Sequence, residues 1–61
     1  MKFRCDIDMS NAAFDENREF ELCQILTTIS KQINEGQTGM GLKDSNGNRV
    51  GQWVFEGEDI E

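Results

Sequence analysis

The 61-residue chain contains no histidine. That absence removes the usual general base near neutral pH, the usual imidazole metal ligand and every histidine-dependent nucleophile. Basic residues are scarce: six Lys and Arg stand against twelve Asp and Glu, for a formal charge of -6. Nucleic acid and anionic membrane surfaces both call for clustered Lys and Arg, so neither is an expected direct partner. A basic protein surface fits the charge better, including one that itself handles nucleic acid. No apolar stretch approaches the roughly 20 residues of a membrane span. Met1 leads into a structured pattern without a basic start and a long apolar run, so no signal peptide is expected. Cys5 and Cys23 lack CxxC spacing and read as reduced cytosolic thiols, not as a disulfide framework. A chain this short buries only about 60% of its unfolded surface. It is expected to form one small domain over residues 1–61, with a thin core and little room for a deep cleft.

What is present gives a fold. Residues 1–9 alternate strictly, with Met1, Phe3, Cys5, Ile7 and Met9 on one side and Lys2, Arg4, Asp6 and Asp8 on the other. That period of two predicts a half-buried strand. Ser10, Asn11 and Asp15 break the pattern, and Asp15 is the best N-cap for a helix over residues 16–35. Leu22, Ile25, Leu26, Ile29 and Ile33 form its apolar stripe, Lys31 lies near its end, and Gly36 suits the left-handed position after it. A β-hairpin follows from Met40 to Phe55, turning at Asn46-Gly47. A two-residue turn there sets Lys43 opposite Val50, Leu42 opposite Gly51 and Met40 opposite Trp53. A longer turn over Asp44 to Gly47 shifts that register slightly. Residues 56–61 form an acidic tail expected to fray.

The expected fold class is α+β with the order β-α-β-β. Its sheet has three antiparallel strands, with order 1-3-2 preferred over 1-2-3 because the first and second strands run in the same direction. The helix is expected to cover one face, made by Phe3, Cys5, Ile7, Met40, Leu42, Trp53 and Phe55.

Candidate chemistry is sparse. Cys5 reads as a core residue, and Cys23, on the flank of the helix stripe, has no neighbouring base. Asp6 and Asp8 lie about 7 Å apart on one strand face, but alternate with Lys2 and Arg4 as ordinary solvated charges do. Asp44, Asn46 and Asn48 resemble the start of a calcium loop. The pattern then fails, since Arg49 replaces the required glycine and Phe55 the bidentate glutamate. Gly36, Gly39 and Gly41 follow a helix and do not form a phosphate loop. No catalytic residue, metal or cofactor is expected.

Two features suggest surfaces. Phe20 lies nearly opposite the helix stripe, among Glu16, Glu21, Gln24 and Thr27. An aromatic ringed by acids suits an anchor for a basic partner, so Glu16, Phe20, Glu21 and Gln24 are the candidate partner-binding residues. Phe14 and Ile60 are the apolar residues that could instead fold over Phe20. Val50 and Val54, expected on the open sheet face beside Gly41, are the candidate interface of a homodimer.

The opening Met1-Lys2-Phe3 strand with Ile7-Asp8, the helix with Ile25-Leu26, and above all the segment from Asp44 to Gly51 resemble a group of short acidic bacteriophage and prophage proteins, mostly uncharacterised. The resemblance covers nearly the whole chain and implies a phage gene expressed in a bacterial cytoplasm. It carries over no functional residue. The resulting expectation is a non-enzymatic phage accessory protein that inhibits a host defence or nucleic-acid-handling protein through an acidic surface. The alternatives are an oligomer that sequesters a nucleotide signal, with Lys2, Arg4, Lys43 and Arg49 clustered on one sheet face, and a structural or regulatory accessory protein.

Overall fold

The computed structural model of the chain describes residues 1–57. The elements are strand β1 (Lys2–Ile7), a 3-10 turn (Ala12–Phe14), helix α1 (Arg18–Asn34), strand β2 (Gly39–Lys43) and strand β3 (Arg49–Glu56). The sheet runs β1-β3-β2 with both pairings antiparallel. This is the expected β-α-β-β arrangement, with the preferred strand order. The acidic tail expected to fray from residue 56 begins later: Glu56 is the last residue of β3, paired with Lys2, and residues 58–61, with Ile60 among them, lie outside the described residues.

Capping chemistry sets the boundaries of α1. Asn17, not Asp15, is the N-cap, its Oδ1 accepting a hydrogen bond from Phe20 N at 3.0 Å. The helix starts later than residue 16 because Phe14 is drawn into the core at 4% exposure, which takes a separate 3-10 turn. Phe14 therefore does not cover Phe20. At the other end Gly36 adopts φ +91°, Gly36 N donates to Ile33 O and Gln37 N to Gln32 O. These two bonds close a Schellman motif and satisfy carbonyls that the helix end would leave bare.

The hairpin departs from a two-residue turn. Gly47, at φ +86°, is the left-handed residue of the turn, and among the described residues no non-glycine residue has a positive φ. A type I′ turn needs two such residues, so the chain takes the longer Asp44–Gly47 turn, with Gly47 N donating to Asp44 O and Asp44 N to Asn48 O. Lys43 then pairs with Arg49 while Leu42 still pairs with Gly51, which leaves Val50 as the extra residue of a β-bulge. The bulge rotates Val50 to the covered side, where it is 7% exposed. Val50 is thus a core residue and not part of an open-face dimer patch. Val54 remains half-buried on the open face, paired with Arg4 and Gly39.

The core comprises Phe14, Ile25, Ile29, Leu42, Val50 and Trp53, with Ile7, Met9, Ala13 and Phe55 packed around it. Trp53 and Leu42 are its most enclosed side chains, and Trp53 Nε1 donates to Gln32 Oε1 at 2.7 Å. The expected cover is incomplete. Phe3 is 52% and Met40 40% exposed, and Cys5 is exposed and not core-packed. A helix about 10 Å wide covers roughly two strands spaced about 4.8 Å apart. Helix α1 packs on β2 and the 3-10 turn in preference to β1, so the inner face of β1 is covered at Ile7 and left exposed at Cys5 and Phe3.

Strands β1 and β3 approach closely at Gly51, which pairs with Ile7. A Cβ on Gly51 would lie 1.8 Å from Asp6 O, a backbone atom that cannot move aside alone. Gly51→Ala is expected to destabilise the fold by about 3 kcal/mol or more, measured as a fall in the urea midpoint. A loss under about 1 kcal/mol would show that β1 stands further from β3.

Candidate binding groove beside Phe20

Helix α1 and the hairpin turn meet edge to edge and leave a groove of about 380 Å³ between them. Phe20, Gln24 and Thr28 come from the helix, where a spacing of three to four residues puts them on one flank. Lys43, Asp44 and Ser45 come from the end of β2 and the turn, with Glu21 and Ile25 at the base. Phe20 is 59% exposed at the rim.

Three of the four residues expected to bind a partner meet here: Phe20, Glu21 and Gln24. Glu16 is exposed, but lies before the helix and does not line the groove. Glu21 has a different role from the one expected. It is 6% exposed, and its carboxylate accepts hydrogen bonds from Ser45 N at 2.7 Å and Ser45 Oγ at 3.0 Å. It fastens the helix to the turn and does not form an open acidic surface. Asp44 is equally buried: Oδ1 accepts from Asn46 N and Asn48 N, and Oδ2 from Asn11 Nδ2 at 2.7 Å. The carboxylate that opened the apparent calcium loop is thus taken up by donors of the turn and of Asn11. Among the described residues no group of three or more His, Cys, Asp or Glu side chains gathers as a metal site. Thr28 and Ser45 were not expected at a site, and Asp44 and Lys43 were weighed only for a calcium loop and a nucleotide face, not for a groove with the helix. No local pattern joins the turn to Phe20, because the two meet only when the helix docks on the hairpin.

Charge divides between the two sides of the molecule. By strand alternation Lys2, Arg4, Lys43 and Arg49 fall on the open sheet face with Asp6 and Glu56, four cations against two anions for a net +2, with Lys43, at the end of the edge strand β2, also reaching the groove. Asp8, Asp15, Glu16, Glu19, Glu21, Glu35 and Asp44 lie elsewhere in the described residues with Arg18 and Lys31, seven anions against two cations for a net -5. Glu19 is exposed beside Phe20. Its own backbone amide at the helix start, and then the Arg18 side chain, hold its carboxyl below the usual range, so it is charged at neutral pH.

The basic residues share a face but do not converge. Arg4 sits across from Val54 and Lys43 across from Arg49, a separation of about 16 Å along β3. Arg4 Nε is already 2.6 Å from Glu56 Oε1, and Arg49 Nη2 is 2.8 Å from Gln52 Oε1. That arrangement gives little support to a phosphate site. The thiols offer no better chemistry: partial burial, then the neighbouring Asp6 carboxylate, push the Cys5 thiol up and keep it protonated. Among the described residues no helix is long and apolar enough to cross a membrane. No protein-family model matches the chain, and neither a curated protein nor a solved structure matches it.

Two stability measurements test the groove's construction. Replacing Glu21 by Ala leaves Ser45 N without its acceptor in a part-buried position, with an expected loss of about 1–3 kcal/mol. Loss of partner affinity with unchanged stability would argue instead for an exposed binding role. Burial opposes charge on Asp44, but hydrogen bonds from Asn48, Asn11 and Asn46 outweigh it and hold its pKa below the usual aspartate value. A depressed native pKa makes the charged form stabilising. The contribution is complete above the unfolded value of about 3.9 and is lost as pH falls through the lower native value. Urea midpoints should therefore fall with acidification in the parent, and fall less steeply in Asp44→Asn.

Proposed function

We propose that the chain is a non-enzymatic accessory protein of phage type that binds and inhibits a bacterial host protein. The target is a defence or nucleic-acid-handling factor with a basic surface, met in the host cytoplasm. The observation that carries this reading is Phe20, 59% exposed at the rim of a preformed groove. It stands on the acidic side of a molecule whose charge is divided between two faces. Exposed Glu16 and Glu19 lie near it in sequence and supply the negative field, while Phe20 and Gln24 supply contact. Desolvated aromatics at the centre of an interface carry much of the binding energy, and surrounding charge sets approach and selectivity. Carboxylates placed where phosphates would lie would exclude nucleic acid from such a target. The phage setting comes from the sequence resemblance.

Parallel affinity capture from bacterial lysate, with the parent and Phe20→Ala, tests the reading. A target with a basic surface should be retained by the parent and released as salt is raised from about 0.1 to 0.5 M. Its affinity should fall at least about tenfold with Phe20→Ala, and by a smaller, salt-dependent factor when Glu16 and Glu19 are changed together to Gln. A verified target held equally tightly by Phe20→Ala would place the binding site elsewhere.

A further inference from the structure

The hairpin turn holds a carboxamide next to a main-chain nitrogen that can attack it. Asn46 is followed by Gly47, whereas Asn11, Asn17, Asn34 and Asn48 are followed by Ala, Arg, Glu and Arg. Glycine has no side chain to crowd the attack, and it gives the backbone the freedom that ring closure needs. The tertiary structure leaves the approach open. Asn46 is exposed, and among the described residues only its backbone N–H is held, donating to Asp44 Oδ1 at 2.9 Å. Nothing lies within 4 Å of the place a Cβ would take on Gly47. The attacking nitrogen is the restrained partner. Gly47 N donates to Asp44 O at 3.0 Å, and Asn48 N, just beyond, donates to Asp44 Oδ1 at 2.8 Å. A nitrogen whose proton is held by a carbonyl, beside a carboxylate, is a poor nucleophile until that bond opens.

We propose that Asn46 is a covalent modification site, at which the chain loses ammonia at a rate set by the grip of Asp44 on the turn. Gly47 N forms a bond to Asn46 Cγ and the Cγ–Nδ2 bond breaks, the amide proton leaving with the NH2 group as ammonia. Water then opens the cyclic imide at one of its two carbonyls. One opening gives an aspartate, the other an isoaspartyl link in which the chain runs through Cγ. The balance takes up water and releases ammonia only. Both products disturb the clasp that holds the helix to the turn. Each adds a carboxylate close to Asp44, where like charges repel. The isoaspartyl link also inserts a methylene between the nitrogens of residues 46 and 47. Asn46 N and Asn48 N share one oxygen of Asp44, so the lengthened chain cannot keep both bonds as they stand. Ser45, between Asp44 and Asn46, supplies both donors to buried Glu21. A turn released from Asp44 therefore takes Ser45 with it, and the wall of the groove beside Phe20 goes too. Loss of ammonia makes the change irreversible. The chemistry at Asn46 does not rest on the role proposed for Phe20.

Mass spectrometry on the full chain, incubated in mildly alkaline buffer, decides the matter. The folded parent should exchange NH2 for OH at Asn46 before Asn11, Asn17, Asn34 or Asn48, the position being read by fragmentation. In urea that unfolds the parent the same exchange should run at least about fivefold faster, a comparison that needs no variant to fold. Asp44→Ala, with its fold checked by circular dichroism, should react at least about fivefold faster than the parent without urea. The isoaspartyl form, isolated by ion exchange, should exchange its Ser45 amide hydrogen at least about fivefold faster than the parent, while Asn46→Ala should keep the parent's Ser45 protection. Another asparagine reacting first overturns the proposal, as do equal rates in the folded and unfolded parent. So does a folded Asp44→Ala that reacts at the parent's rate, or an isoaspartyl form with the parent's Ser45 protection.

Discussion

Two carboxylates hold the hairpin turn in place, and most of the molecule follows from where they put it. Asp44 gathers the amides of Asn46 and Asn48 on one oxygen and the Asn11 side chain on the other. This favours the longer turn with a single left-handed glycine at Gly47. Glu21 then takes both donors of Ser45 and draws the first half of α1 against the turn. Buried carboxylates are tolerated here because N–H and O–H donors meet them, in place of the water they lost. With Gln32 bonded to Trp53 further along, the helix is tied to the hairpin at two points. Its position over β3 and β2 follows from those ties.

That position has two consequences of opposite kind. On the turn side, the helix edge and the hairpin are held apart by their own side chains, and a groove opens with Phe20 at its rim. On the other side the helix falls short of β1, and apolar side chains of both elements stay in solvent. A small domain with one helix and three strands cannot close both sides at once. The proposed target surface and this apolar flank are the two places where the single layer of helix runs out.

The strand pairings also give the net charge a direction. Cations are concentrated on the open sheet face and anions on and around the helix and connecting segments. A domain polarised in this way presents different faces to a basic and to an acidic surface. Among the described residues the two sides carry +2 and -5, so their net of -3 understates how negative the helix side is.

The amino-acid sequence by itself determined the element order and the helix stop, and favoured the strand order that the structure has. Those depend on periodicity, on chain direction and on glycine's access to positive φ, all of which act over a few residues. It also marked Phe20 as lying off the apolar stripe, because helical spacing is local. It could not place Val50, since whether the turn takes two residues or four depends on the Asp44 hydrogen bonds, and a one-residue bulge reverses which face a side chain joins. Nor could it separate Glu21 from Glu16 and Glu19. All three are carboxylates near one helix end, and only the docking of the helix on Ser45 buries one and leaves the others in solvent. Tertiary structure likewise decided that Phe3 and Cys5 stay exposed, because a helix narrower than the sheet must choose which strands to cover, and its hydrogen bonds to Ser45 and Trp53 make that choice.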